Sequence, residues 1–234
     1  MSVILQIETA TSVCSVALAV DGQTIALKED DAPNIHASQL TPFISELMQK
    51  ADICFADLDA IAVSMGPGSY TGLRIGVSTA KGLCFALNKP LIAIPTLKMM
   101  AQGFLNSTSQ SLPAAFEKAY ICPMIDARRM EVFTAVYDGN LNEIEATQAK
   151  IIDATSFSAL LEDQAMVFIG NGAAKCQLAI QHPHARFIAT NFNSAAAMSA
   201  LAWQEFKKAN FEDTAYFEPF YLKDFVFTPP KKRV

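Results

Sequence analysis

In "IETATSVCSVAL" (Ile7–Leu18) one carboxylate, Glu8, is followed within four residues by three hydroxyls, Thr9, Thr11 and Ser12. A carboxylate at a strand end can hold Mg²⁺ through its water shell, while hydroxyls and backbone N–H groups of the next turn face phosphate oxygens. The same residues suit a plain hairpin whose hydroxyls satisfy the turn's own backbone. Ala10, whose methyl hinders close backbone approach, favours that second reading. A second stretch, "GPGSYTG" (Gly66–Gly72), leads into a helical segment that carries Arg74. Helix N-termini attract anions, but the stretch lacks the lysine and spacing of a P-loop. With Ser69 as N-cap it reads chiefly as a turn into a helix. "IGNGAA" (Ile169–Ala174) is a strand, a turn built on Gly170 and Gly172, and a helix start. A helix entry that needs left-handed glycines explains it without a ligand.

Metal and covalent chemistry find little to work with. A His-x-x-x-His pair starting at His36 would need a histidine at position 40, which is Leu40; His182 and His184 flank Pro183 without an accompanying carboxylate motif. There is no G-x-S-x-G and no C-x-x-C, and the five cysteines are scattered, so they are expected to be buried reduced thiols. No metal site and no catalytic residue is assigned.

These residues must be positioned by regular elements. "VILQIE" (Val3–Glu8), "VCSVALAV" (Val13–Val20) and "QTIALKE" (Gln23–Glu29) read as three strands, the last two joined by an Asp21-Gly22 hairpin turn. "HASQLTPFISELMQKA" (His36–Ala51) has apolar residues at helical spacing, with Pro42 near its first turn. "LDAIAVSM", the glycine-rich helix after Gly68, and "PLIAIPT" follow as strand, helix, strand. The order returns after a loop near Gln102–Pro113: strands Ala119–Ala127 and Met130–Tyr137, an Asp138-Gly139 turn, a third strand, a helix at Ser156–Leu161, a strand at Met166–Gly170 and a helix after Gly172. Asn193–Asn210 reads as a helix capped by Asn193 or Ser194. Repeated βββαβαβ order predicts two RNase H-like, actin-type α/β halves, each a mixed five-stranded sheet flanked by helices. The first is expected over residues 1–103, a smaller second over 104–192, and a C-terminal helix and tail over 193–234 returning toward the first. In that superfamily ATP lies between the halves, the turn holding Glu8 would face phosphate, and the Gly170–Gly172 loop would lie against adenosine.

The glycine helix is the odd element. Gly72, Gly76 and Gly82 each weaken it by about 1 kcal/mol relative to alanine. Gly72, Gly76, Ala80 and Cys84 are four apart and share a face that another element can approach closely. The stripe could pack on the protein's own sheet; the preferred reading is a face for another subunit, flanked by Leu73, Val77 and Tyr70, with His36, Leu40, Phe43 and Leu47 of the neighbouring helix alongside. On that reading Gly76→Arg breaks the association and leaves the fold intact.

Of 234 residues, 51% are hydrophobic and 18% charged, with a net charge of −5. That supports a large core and some apolar surface for a partner. It argues against a stand-alone nucleic-acid binder, which would carry a basic excess; "PPKKRV" (Pro229–Val234) is the one basic cluster singled out. The start "MSVILQIE" has no signal-peptide pattern and no run suits a membrane span, so a cytoplasmic location and no membrane partner are expected.

"GPGSYTGLRIG", "IETATSVCSVAL", "STAKGL", "IDAR" (Ile125–Arg128) and "EPFYL" (Glu218–Leu222) together resemble the TsaB family, formerly called YeaZ, over nearly the whole chain. The resemblance implies a bacterial subunit of the machinery that makes N6-threonylcarbamoyladenosine next to the tRNA anticodon. It implies a non-catalytic scaffold that docks on the catalytic homologue TsaD, works with the ATPase TsaE, and self-associates into a homodimer through the same helical face. It would meet tRNA only through the complex, with any ATP or ADP at the interdomain cleft or the complex interface. Glu8 stands where the family commonly has Asp, and "RRMEVF" where "RMGEVY" is more usual. The alternative is an actin-like ATPase or a glycoprotease-like peptidase acting alone.

Overall fold

The computed structural model describes residues 1–108, 116 and 118–223. The basic cluster at 229–234 and the last five residues (109–113) of the loop expected near 102–113 lie outside the described residues. Among the described residues, ten strands form two five-stranded mixed sheets. The first contains β1 (Val3–Glu8), β2 (Val13–Val20), β3 (Gln23–Asp31), β4 (Ala60–Gly66) and β5 (Leu91–Pro95), in the order β3-β2-β1-β4-β5. The second contains β6 (Tyr120–Asp126), β7 (Glu131–Tyr137), β8 (Glu143–Ile151), β9 (Met166–Ile169) and β10 (Ala185–Ile188), in the order β10-β9-β6-β7-β8. Both have three antiparallel strands joined to two parallel ones, so the two halves share one topology.

Local chemistry explains the turns. Asp21 and Gly22 both have positive φ, 48° and 82°, as a tight hairpin between twisted strands requires. The Asp138-Gly139 turn differs from the expected form. There Asp138 accepts the N–H groups of Asn140 and Asn142 (both 2.8 Å), and the left-handed residue is Leu141. Strand β1 is buried on both faces, which is why it reads as a continuous apolar run. Val3, Leu5 and Ile7 pack under α1 (His36–Ala51) and α2 (Tyr70–Leu87). Ile4 joins the core between the halves, so Glu8, four residues on, is turned the same way.

That central core is built on α3 (Thr96–Thr108), with Met99, Met100 and Phe104, and on the C-terminal helical segment, with Met198, Leu201 and Ala202. The second half of α3 falls where a loop is expected from the sequence. Its Gly103 lies where a Cβ would sit 3.0 Å from the Phe192 carbonyl oxygen, so close packing put the glycine in the helix. Strand β10, four residues long at a sheet edge, also escaped. The expected helix at 193–210 is a 3₁₀ turn (Ala195–Met198) followed by α6 (Ser199–Lys207), and neither proposed cap acts as one. Ser194 instead donates to Glu29 (2.7 Å). The short helices α4 (Ser158–Asp163) and α5 (Ala173–Cys176) complete the second half. Pro42 is the seventh residue of α1, not part of its first turn; the carbonyl it leaves free belongs to exposed Ser38, within reach of water.

The C-terminal segment returns across the first half. Glu212 N–H donates to the Leu91 carbonyl (2.9 Å), Phe217 is buried beside α2, and Phe220 N–H donates to the Met65 carbonyl (2.7 Å). Lys81 donates to the carbonyls of Ala215 (3.1 Å) and Phe217 (3.0 Å). Tyr221 then packs on Tyr70 with ring centroids 4.8 Å apart, and Lys223 pairs with Glu131 of the second half. No helix among the described residues is long and apolar enough to cross a membrane.

Candidate functional site

The β1–β2 turn and the start of α2 are built into each other. Thr9 Oγ1 donates to the Gly72 carbonyl (2.8 Å) and Ser69 N–H to the Ala10 carbonyl (2.7 Å). Ser69 also caps α2 as expected, accepting from Gly72 N–H at 3.2 Å. A Cβ at Gly68 would lie 2.4 Å from the Ala10 oxygen, at Gly72 2.1 Å from the Thr9 oxygen, and at Gly76 2.2 Å from Thr9 Oγ1. The stripe of Gly72, Gly76, Ala80 and Cys84 is therefore turned inward, onto the protein's own hairpin and sheet. This corrects the expectation of an open ridge. Leu40, Phe43, Leu47, Leu73 and Val77, expected in the same face, are buried core residues, and His36 is buried with Nε2 3.2 Å from the Val13 carbonyl. Tyr70 is half-buried. Burial pushes the Cys84 thiol up to about 12. Cys54, against the expectation of buried thiols, is exposed.

The outward face of α2 carries Thr71, Arg74, Ser78, Gly82, Phe85 and Ala86, and Thr41 and Ser45 of α1 are exposed too. A Cβ at Gly82 would meet nothing within 4 Å, and Phe85 is 87% exposed. Ser78, Gly82 and Ala86 are spaced four apart, a second small-residue stripe on the other side of the same helix. The signal was present in the sequence: Gly82 falls out of register with Gly72 and Gly76.

The proposed phosphate turn is largely committed to packing. Besides Thr9, Thr11 Oγ1 lies 3.3 Å from Asn191 Nδ2 and 3.4 Å from Val13 N–H; Ser12 is exposed. Gly170 is left-handed (φ 97°), and its Cβ would meet Met100 and Met124 at 2.6 Å. Gly172 does not need the left-handed region expected of it; its Cβ would crowd Val132 and the backbone of Met124 and Ile125 at 3.0–3.1 Å. A cleft of about 550 Å³ opens between the halves, bordered by Met65, Lys98, Tyr137, Glu143 and Phe220. Glu8, Thr9, Thr11, Ser12, Gly170 and Gly172 are not among its lining residues.

Glu8 is fully buried. Its Oε1 accepts the Ala10 N–H (2.6 Å), while Oε2, Ser64 Oγ and both side-chain atoms of Asn193 lack a hydrogen bond of good geometry. Burial pushes its pKa from 4.5 up to about 7; Ser64, the Ala10 N–H and Asn193 oppose the rise only in part. A carboxyl with a higher pKa folded than unfolded holds its proton more tightly in the native state. Its contribution to stability is whole below pH 4.5 and is lost as pH rises through about 7, a loss of about 3 kcal/mol. Glu8→Gln keeps the shape and removes the charge. Urea unfolding at pH 5 and pH 8 should show a pH-dependent loss in the parent that is absent in this variant.

Comparison with known proteins gives the relationship. The family model described as "TsaD: tRNA N6-adenosine threonylcarbamoyltransferase" matches residues 30–228. The chain is 37% identical to the Escherichia coli tRNA threonylcarbamoyladenosine biosynthesis protein TsaB over 62% of its own length and 61% of that protein's. It is 31% identical to the Bacillus subtilis TsaB over 72% of its length and 70% of that protein's. The solved structure of YeaZ from Pseudomonas aeruginosa superimposes with a TM-score of 0.81 at 27% identity, covering 95% of this chain and all of that one. An activator of 2-hydroxyisocaproyl-CoA dehydratase from Clostridium difficile matches with a TM-score of 0.50 at 10% identity, a likeness of the two-half α/β fold alone. With the family model spanning most of the sequence and the glycine-rich helix, the paired sheets and the returning tail all in place, the chain belongs to the TsaB (YeaZ) family.

Proposed function

We propose that this chain is a docking subunit of the machinery that makes N6-threonylcarbamoyladenosine in tRNA, acting by binding a catalytic TsaD-type subunit. The observation that carries the reading is the outward face of α2: a fully open Gly82 next to an 87% exposed Phe85, on a helix held rigidly by its inward glycines. An open glycine on a helix surface weakens the helix without serving the fold, and lets a partner helix approach closely. An exposed phenylalanine supplies the apolar anchor that such contacts need. Self-association would use the same face, so homodimer and heterodimer would exclude each other, and a TsaE-type ATPase would act on the assembled pair. The reading of an ATPase acting alone is disfavoured by the β1–β2 turn, whose Thr9 and Thr11 hydroxyls already have protein partners.

Size-exclusion chromatography of the full chain mixed with a bacterial TsaD protein should give one earlier-eluting peak that holds both chains. Addition of this chain should raise threonylcarbamoyladenosine formation by TsaD, TsaE, tRNA and the threonylcarbamoyl donor well above the level without it. Separate elution with no stimulation would overturn the reading.

A further inference from the structure

Two of the motifs singled out in the sequence, "IDAR" and "EPFYL", have no place in the docking face, yet they converge. The β6–β7 hairpin turns through Arg128 and Arg129, whose φ values are 72° and 50°. Consecutive left-handed residues at a hairpin tip favour asparagine and glycine, and bulky side chains are strained there. Both arginines are exposed, and neither guanidinium has a hydrogen-bonding, ionic or ring partner among the described residues. The carboxylates beside them are already neutralised: Asp126 pairs with Lys175 and Glu131 with Lys223. Two uncompensated positive charges are thus held at the tip of a strained turn.

Lys223 also links this tip to α2. Tyr221, two residues before it and so within about 7 Å along the chain, packs on Tyr70. The Arg74 guanidinium lies 5.2 Å from the Tyr70 ring centre, and its Nη1 is 3.1 Å from the Tyr70 hydroxyl. The hairpin tip and Arg74 are thus joined through Glu131, Lys223, Tyr221 and Tyr70. The Glu218 carboxylate also acts on Tyr221, opposite in sign to Arg74. Guanidinium groups suit phosphate oxygens, and aromatic rings suit unstacked bases. With a net charge of −5, the chain as a whole would repel RNA, so any contact must be local.

We propose that the β6–β7 hairpin tip, through Arg128 and Arg129, is a contact surface for the sugar–phosphate backbone of the tRNA in the assembled complex. The proposal rests on the functional reading above. It goes beyond the expectation that tRNA is met only through the complex, by naming the residues of this chain that would touch it.

The test uses the full chain in its complex with TsaD and unmodified tRNA, with affinity measured across a salt series. Arg128→Asn with Arg129→Gly fits the backbone better, so the thermal midpoint should stay or rise. tRNA binding should weaken about tenfold near 0.1 M salt, and the slope of log affinity against log salt should fall by about 1 to 2. Arg128→Lys with Arg129→Lys should keep most of the slope. An intact complex with unchanged affinity and slope would overturn the proposal, and so would loss of TsaD from the double variant, which would mark the tip as a protein interface. Failure of the parent chain itself to bind TsaD would remove the functional reading, and this proposal with it.

Discussion

Gly76→Arg should leave no folded protein to test for binding. The position where a Cβ would start is 2.2 Å from Thr9 Oγ1, and Thr9 is held by its hydrogen bond to the Gly72 carbonyl. An arginine there must displace the β1–β2 hairpin or bury its guanidinium in the core under α2, and either exceeds what a marginally stable domain tolerates. Gly72→Ala is the milder form of the same change. Its methyl would sit 2.1 Å from the Thr9 carbonyl oxygen, a backbone atom that cannot rotate away. Overpacking costs about 1–3 kcal/mol where side chains can yield, and here more than about 3 kcal/mol is expected. Circular dichroism melts would report it; a Gly72→Ala protein as stable as the parent would mean that α2 and the hairpin are less tightly joined than described. Gly76→Arg is therefore not the clean interface probe that the sequence suggested.

Gly82→Arg should do what Gly76→Arg cannot. Nothing lies within 4 Å of the added Cβ, and replacing a helical glycine by a good helix former should raise stability by about 0.5–1 kcal/mol. On the docking face the same side chain would hold a partner helix several ångströms away. Co-elution with TsaD should be lost, with a rise in Kd of about a hundredfold or more, the equivalent of about 3 kcal/mol. Gly82→Ala, which adds one methyl, should keep the gain in stability and most of the binding. A Gly82→Arg chain that binds TsaD like the parent would remove the outward face of α2 from the interface.

These two glycines show where the sequence was legible. The repeated order of strands, the Asp21-Gly22 turn and the Ser69 cap could all be read because each depends on neighbouring residues alone. Four-residue spacing announced a close approach at Gly72 and Gly76, but spacing does not say from which side the neighbour comes. The neighbour was Thr9, more than sixty residues earlier, placed there by the pairing of β1 with β4. Gly103 obscured α3 for the same reason, since it reads as a helix breaker until the Phe192 carbonyl is brought against it. The buried group around Glu8 was half visible. The carboxylate stood out, while Ser64 and Asn193 join it only through tertiary structure. Arg128 and Arg129 gave no warning of their left-handed backbone, because arginine is an unusual choice there.

The returning tail sets an order of events during synthesis. Leu91 and Met65 expose carbonyls that stay open to water until Glu212 and Phe220 leave the ribosome to claim them. Until then the nascent N-terminal lobe has an uncovered sheet margin next to β5, a place where chaperones or neighbouring copies could pair with it. Shortening the gene before codon 212 would make that transient vulnerability permanent.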